Sequence, residues 1–593
     1  MLTKEYITSD LCVVGGGMAG LVCAIAAARE GISVVLMHER PVLGGNASSE
    51  IRMWICGAYG DNNRETGVLE EIALENLYRN PTKSYAVWDT VLYEFAKREK
   101  NLTLLLNCPC MDAETEEGVF ADGRSKRIKS VTGYQMTTQR MITVKSKFYC
   151  DASGDSILAP LTGADFRIGR ESSEEFGENT VTEKADNMTM GMSCLLQGRE
   201  TTEPIRYIPP AFAKKLVKED FRGRAIDIYN DTENFWYLEL GGDRDSIGDT
   251  EKVRDELLGL ATGTWDYIKN SGNFKSENWE LDFLGFLPGK RESRRMCGEY
   301  MITQRDISDN VVFPDEVAYG GWTLDDHFPG GFYHKGTPNT YIPTPEHYSI
   351  PYRALYSKNV ENLYFAGRNI SMTHTAMSSI RVMATCALLG EAVGKAAAVA
   401  VENGLTPNGV YLEKMQEVQR RLENEDCFLP HVSRSVSEKC KNARLFGAPD
   451  TLRDGFDRPH KMYGTDKDPI FAVPANTEIV YRFDAQTVSH AHIVFDSDLN
   501  RETLPGSLCE RIHTTRANRR LEAPVMHMPT TLCRSFALYG EKDGTRTLIC
   551  AVEDNRKRAY HIPVEAELDA LILVPVSLWG EGDSIPVISF DFA

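Results

Sequence analysis

The sequence predicts an α/β fold: a Rossmann-like dinucleotide-binding domain, interrupted by a β-rich substrate or cap domain and followed by a C-terminal all-β sandwich. Three observations predict it. The first forty-five residues hold a strand, a GxGxxG turn, a helix and a second strand in register. A return strand and an Ala-rich helix come only after residue 360, across a stretch without βαβ rhythm. From about residue 465, short strands alternate with turn residues. The boundaries expected are 1–164 for the first part of the dinucleotide domain, 165–350 for the insertion and 351–405 for the return segment. A helical linker over 406–464 and the sandwich over 465–593 complete the chain.

Leu11–Val14 is an apolar run suited to a buried parallel strand. It leads into Gly15–Gly20 (GGGMAG), with Met18 and Ala19 in the variable positions. Gly15 permits the tight turn, Gly17 lets the backbone approach a pyrophosphate, and Gly20 lets the helix pack on the strand. The helix Leu21–Glu30 ends at Gly31. Its N-terminus offers free N–H groups to phosphates. Ile32–Met37 reads as the second strand, and Glu39 beyond it can accept hydrogen bonds from a ribose diol. Arg40–Asn46 (RPVLGGN) then brings Gly44 and Gly45 close behind that acid. Paired glycines here resemble the flavoprotein pattern, and the Trp-containing stretch Ala47–Gly67 breaks simple βα repetition. Both favour FAD over NAD.

Gly67–Tyr78 and Ala86–Arg98 have helical apolar spacing, and Leu102–Leu106 reads as a buried strand. Alternating segments in Lys126–Tyr149 suit an antiparallel meander leading to Asp151–Asp155. The insertion holds a Met-rich period-two stretch, Met188–Leu196, read as one face of a core strand, and a helix over Glu251–Lys269. Glu361–Asn369 is again a strand running into a glycine. Ser379–Glu402 reads as one long helix, with Gly390 and Gly394 spaced to lie close to the sheet. Leu412–Glu425 is a polar helix. Beyond it EIVYRFD, AHIVFDSD, TLICAVED and LDALILVPVSLW read as strands, with a hairpin turn at Glu541–Gly544.

With 593 residues, 42% hydrophobic and 25% charged, the chain has the make-up of a globular protein. Lys+Arg 66 against Asp+Glu 85 leaves a net charge of −19, which argues against a nucleic-acid partner. No run of 18 apolar residues occurs, so no membrane-spanning helix is expected. The 14 cysteines do not form paired CxxC sets, so no metal site is expected and free thiols in a cytoplasmic protein are.

Residues 15–20 with Glu39, residues 149–155 (YCDASGD) and residues 362–394 together resemble the FAD-dependent oxidoreductase family. Its bacterial flavoproteins have a two-part FAD domain and are distantly similar to fumarate-type reductases and the heterodisulfide reductase flavoprotein. Gly44–Arg52 and Arg291–Gly298 match the same branch. The resemblance implies FAD as cofactor. It implies that Gly15, Gly17, Met18, Ala19, Gly20 and Glu39 hold its ADP half, and that Arg40, Gly44 and Gly45 line the following loop. It places Asn46, Ser49 and Arg52 near the flavin, and Ala152, Gly154 and Asp155 in a second dinucleotide motif whose usual Thr is Ser153. Gly367 and Arg368 stand where the family meets the ribityl chain and pyrophosphate, with arginine in place of an acid. A helix N-terminus near Ser379 would face the flavin, its dipole stabilising a reduced ring.

Flavin chemistry needs a proton donor or acceptor beside the hydride path. His374, in the loop before the late helix, is the first candidate, and His327, in DDHFPGG, the second. Tyr352 follows a proline before the return strand. Arg294 could hold an anion. Arg381, read in the first turn of the long helix, would need an acidic partner or ligand there. The activity expected is hydride transfer between FAD and a small polar substrate, through oxidation of a hydroxyl on a sugar, glycoside or polyol. The alternative is reduction of a C=C bond in an unsaturated acid, with Arg52, Arg294, Arg295 and Arg381 as candidate substrate and proton groups. A third question is whether the C-terminal module binds a ligand or only packs. The partners expected are a small-molecule substrate and an electron partner of open identity, with self-association into a homo-oligomer left open and no membrane.

Overall fold

A computed structural model describes residues 2–120, 122–179, 182–230, 233–459, 470–501 and 515–593. β1 (Thr3–Val14), α1 (Met18–Arg29) and β2 (Val34–Met37) form the opening βαβ unit. Its strand segments are apolar throughout because parallel strands here are covered on both faces: Leu11–Val14 and Val34–Met37 are all buried. Helices α2 (Val68–Arg79) and α3 (Tyr85–Arg98) follow, and β3 (Leu102–Leu105) pairs in parallel with β2.

β4 (Cys110–Glu117), β5 (Lys126–Gln135) and β6 (Arg140–Asp151) form the antiparallel meander. β6 serves both kinds of pairing. It runs parallel to β1 along its length, and its first half also pairs antiparallel with β5. Its last residues, Tyr149–Asp151, pair in parallel with the return strand Leu363–Phe365. The parallel strands therefore all end on one edge, where Gly15, Ala152 and Gly367 turn out of the sheet. Asp151, fully buried, ties this edge together by accepting the N–H groups of Ser153 and Leu158 and the Asn369 amide.

The late apolar stretch is not one helix. It divides into His374–Ile380 and Met383–Asn403, with Val382 extended between them. The longer helix is long and apolar enough to cross a membrane, but it is buried inside the protein. Gly390 and Gly394 bring it onto α1 rather than onto the sheet: a Cβ on either would stand 2.0 Å from Ala19 O or 2.6 Å from Cys23 O.

The insertion is built of short ladders. Met192–Ser193 lies between Glu239–Leu240 and Gly289–Lys290, and Leu196–Glu200 pairs with Trp279–Leu284. The helix Thr250–Asn270 covers them. Thr189–Gly198 is buried throughout, so the methionine stretch packs on both sides instead of showing one face.

The C-terminal unit is all-β and antiparallel. Its strands form one hydrogen-bonded ladder that includes Arg444–Phe446 from the preceding stretch. The segments read as separate strands are a single one, Ile479–Phe495, with register breaks after Arg482 and Val488. Asp543 (φ +50°) and Gly544 (φ +76°) make the two-residue turn of the predicted hairpin.

This unit is bolted to α2. Arg501 donates two 2.6 Å hydrogen bonds to the Glu70 carboxylate, and Ser497 Oγ adds a third at 2.8 Å. Both charged side chains are buried. Burial alone would raise the Glu70 carboxyl; Arg501 outweighs it and holds the group below its ordinary value. Arg501→Met should cost about 3–5 kcal/mol, because it strands a buried carboxylate. Thermal unfolding should show a lower midpoint that Glu70→Gln on the same background largely restores; an unchanged midpoint for the single variant contradicts the assignment.

Candidate active site

A cavity of about 510 Å³ opens along the edge where the parallel strands end. It is lined by the loops at this edge of the parallel sheet and by the insertion together. From the first come Gly15–Ala19, Glu39, Arg40, Gly44–Asn46, Ala152, Gly154, Gly367 and Arg368; from the second come Trp236, Lys290, Arg291, Asp325 and His327.

The first wall fits a dinucleotide. Gly15 (φ +105°) turns the chain so tightly that a Cβ would lie 2.4 Å from Ala152 O, and a Cβ on Gly20 would lie 1.8 Å from Gly15 O. Gly17 differs: a Cβ there meets nothing nearer than Gly45 Cα at 3.9 Å, so its face is open toward the cavity. It caps α1 with no side-chain hydrogen bond, leaving the helix N-terminus to a phosphate. Gly16 N–H donates to His38 Nδ1, which fixes the turn beside Glu39. Burial would raise the Glu39 carboxyl; the surrounding side chains, Arg40 at 3.3 Å among them, hold it well below its ordinary value. A ribose diol would therefore meet an ionised acceptor.

The insertion's wall carries a histidine between carboxylates. His327 Nδ1 lies 2.6 Å from Glu239 Oε2, and Nε2 lies 3.5 Å from Asp325 Oδ2. Burial would lower the His327 pKa; Glu239 and Asp325 outweigh it and raise it above its ordinary value. Each carboxylate has its own cation. Arg291 stands 3.5 Å from Glu239, and Arg381 donates to Asp325 Oδ2 at 3.2 Å and to its backbone oxygen at 3.0 Å. Trp322 and Asn339 also donate to Asp325. Aromatic rings surround the cluster: Trp236 meets His327 edge-on at 5.3 Å, and Tyr59 stacks obliquely on Trp322 at 4.5 Å. Burial lifts the Glu233 carboxyl, also in the lining, to about 7.

His374 sits behind this wall and does not line the cavity. Its Nδ1 is 2.9 Å from Glu292 and its Nε2 3.0 Å from Asp326. Burial opposes the charged ring, but the two carboxylates push it up to about 10. A group whose folded pKa is raised stabilises fully below its unfolded pKa of about 6.5 and loses that contribution as pH rises through the folded value. Stability should therefore fall as pH climbs from neutrality through about 10, and His374→Gln should flatten this decline in denaturant titrations. The same slope in both proteins contradicts the assignment.

Other predicted residues lie outside the cavity lining and have structural partners. Tyr352 is buried; its hydroxyl donates to Pro407 O and lies 3.1 Å from Tyr364 Oη. Arg294 donates to Asp155 O and lies over Phe166. Ser49 N–H donates to Asp89, and the Arg52 guanidinium lies 4.0 Å over Phe283 while donating to Gln197. Arg295 is sealed between Glu171 and Glu292. Asp155 stands behind the lining and holds Arg368 and Lys290, both at 2.7 Å, toward it. Because the late helix breaks, Ser379 falls in the last turn of the short helix, bonded to Tyr348 and Trp322 O. The helix N-terminus that faces the cavity is Val382–Ala384 instead. Arg381 follows a helix C-terminus, where a cation is favoured, rather than a first turn.

Trp54, Tyr59, Asn230, Lys290, Arg291, Asp325 and Asn339 also line the cavity; apart from Arg291, which opens the segment Arg291–Gly298, and Asp325, which opens DDHFPGG, no motif singles them out in the sequence.

The family described as FAD dependent oxidoreductase matches residues 10–422. None of the curated proteins matches the chain. Among solved structures, a geranylgeranyl bacteriochlorophyll reductase-like protein from Thermoplasma acidophilum is 12% identical, covering 71% of this chain and 84% of that one at a TM-score of 0.30. The p-nitrophenol 4-monooxygenase of Pseudomonas putida DLL-E4 is 13% identical, covering 71% and 85% at 0.31. A family 32 carbohydrate-binding module from Streptococcus pneumoniae EndoD is 12% identical, covering 26% of this chain and 95% of that one at 0.18. With the family matched over residues 10–422, the chain belongs to the FAD dependent oxidoreductases and is an enzyme that works with FAD.

Proposed function

We propose that this enzyme oxidises a hydroxyl on a sugar, glycoside or polyol. One observation carries the reading: a single cavity is lined both by the dinucleotide cradle and by the His327 cluster. FAD, when bound, supplies the two-electron acceptor. In this reading residues 1–164 and 351–405 hold the cofactor, and 165–350 carry the substrate wall with Tyr59 and Arg381 added from the cofactor segments. His327, anchored through Nδ1 to Glu239, takes the hydroxyl proton at Nε2. Arg291 and Arg381 are already paired with Glu239 and Asp325, so neither stands as a spare cation beside His327. That suits a neutral polyhydroxyl better than a carboxylate. Trp236, Trp322 and Tyr59 supply flat apolar faces for the C–H side of such a ring.

Reduction of a C=C bond in an unsaturated acid is the second reading. It draws on the raised His327 as proton donor and on Arg291 and Arg381 as carboxylate ligands. An anaerobic panel separates the two. Bleaching of the bound flavin by a sugar, glycoside or polyol is the expected result. No bleaching by any of them, together with reoxidation of the dithionite-reduced protein by unsaturated acids, overturns the first reading in favour of the second.

A further inference from the structure

The C-terminal unit reaches back over the insertion with the segment around residues 515–526. Arg519 N–H donates to Gly198 O at 2.9 Å, and Glu200 N–H donates to Arg519 O at 2.8 Å. The segment thus adds a parallel bridge to the edge of Leu196–Glu200. Asn518, fully buried, is the hub. Its Oδ1 accepts Gly198 N–H at 2.9 Å, and its Nδ2 donates to Asp227 O at 3.3 Å and Asn230 O at 3.2 Å. Those two carbonyls flank a tight turn in which Asp227 accepts Tyr229 N–H. Asn230, at the end of that turn, and Glu233 beyond it line the cavity.

The turn is thus tied to the C-terminal unit through one amide, beside the ring of Tyr229 packed edge-on against Trp279. An asparagine suits this role because it offers one acceptor and two donor hydrogens from a short stem. All three are used here. Losing the donors would leave two carbonyls without these partners and free the turn to move.

We propose that Asn518 is a positioning residue for the substrate wall, so that the C-terminal unit completes the active site instead of standing apart from it. The inference rests on the reading of the cavity as the substrate site. It predicts a division of labour within one segment. Arg519, exposed and bridging through its backbone, should tolerate Arg519→Ala, whereas Asn518 should not tolerate loss of its donors.

The test uses the full-length, FAD-loaded protein as Asn518→Ala, Asn518→Asp and Arg519→Ala. Asn518→Asp keeps the acceptor for Gly198 and removes both donors, and it serves if the alanine variant fails to fold. Native-state hydrogen exchange needs no substrate. Faster exchange confined to residues 225–237 in the Asn518 variants is expected; exchange there equal to that of wild type overturns the proposal. With the hydroxylated compound that bleaches the wild-type flavin, KM should rise about tenfold, the equivalent of one to two net hydrogen bonds. The maximal rate and flavin content should hold. An unchanged KM, or parallel loss of flavin and maximal rate, overturns it. Should the turn loosen while no sugar or polyol reduces even the wild-type protein, the clamp stands and the substrate reading fails.

Discussion

Gly17→Ala should strip flavin from the protein without unfolding it. The added methyl meets nothing within the fold closer than 3.9 Å, and Gly17 lines the cavity at the turn that would take the pyrophosphate. Overpacking of this kind costs about 1–3 kcal/mol, or about fivefold to 150-fold in FAD affinity. Gly20→Ala is the contrasting case. Its methyl would stand 1.8 Å from Gly15 O, inside the packing of α1 on β1. It should lower the unfolding midpoint as well as the flavin content. Flavin content by absorbance and unfolding by circular dichroism distinguish the two. A Gly17→Ala protein that keeps its flavin at wild-type affinity contradicts the placement of the cradle.

His327→Asn should lower the maximal rate by about a hundred- to ten-thousandfold, the usual range for a lost general base. Asparagine keeps a polar group near Glu239 but cannot take a proton. The FAD cradle draws on other elements, so flavin content should stay at the wild-type level. The Glu239 partner gives the effect a second signature. Burial would raise Glu239, and Arg291 and His327 hold it below its ordinary value. Glu239→Gln removes the charge that raises His327, so it should shift the pH profile toward acid and not abolish activity. A His327→Asn enzyme as fast as wild type contradicts the assignment.

The cradle is legible in the sequence because its signals are local. Strand, glycines, helix and acid lie within forty-five residues, and each has its own spacing rule. The proposed substrate wall is less so. His327 and His374 look alike in sequence, each a histidine in a loop near polar residues. What separates them is which carboxylates arrive from afar: Glu239 lies 88 positions from His327, and Glu292 lies 82 from His374. Only His327 then faces the cavity. The late helix reads as continuous for a similar reason. No proline or glycine marks a stop between the short half (HTAMSSI) and the Ala-rich long half, and the break at Arg381–Val382 coincides with the pairing of Arg381 to Asp325, which spacing cannot show. Bends in the long C-terminal strands likewise make one strand resemble two.

The pH dependence of anaerobic flavin reduction, followed in a single turnover with an excess of a reactive polyol or sugar, tests the central claim most directly. His327 must lose its proton to accept one, and its flanking carboxylates raise its pKa above the ordinary value. The wild-type rate should therefore rise with pH through an ionisation above about 6.5, and the His327→Asn rate should be low and flat across the same range. A pH-independent wild-type rate, or a variant that keeps the wild-type profile, would contradict the account.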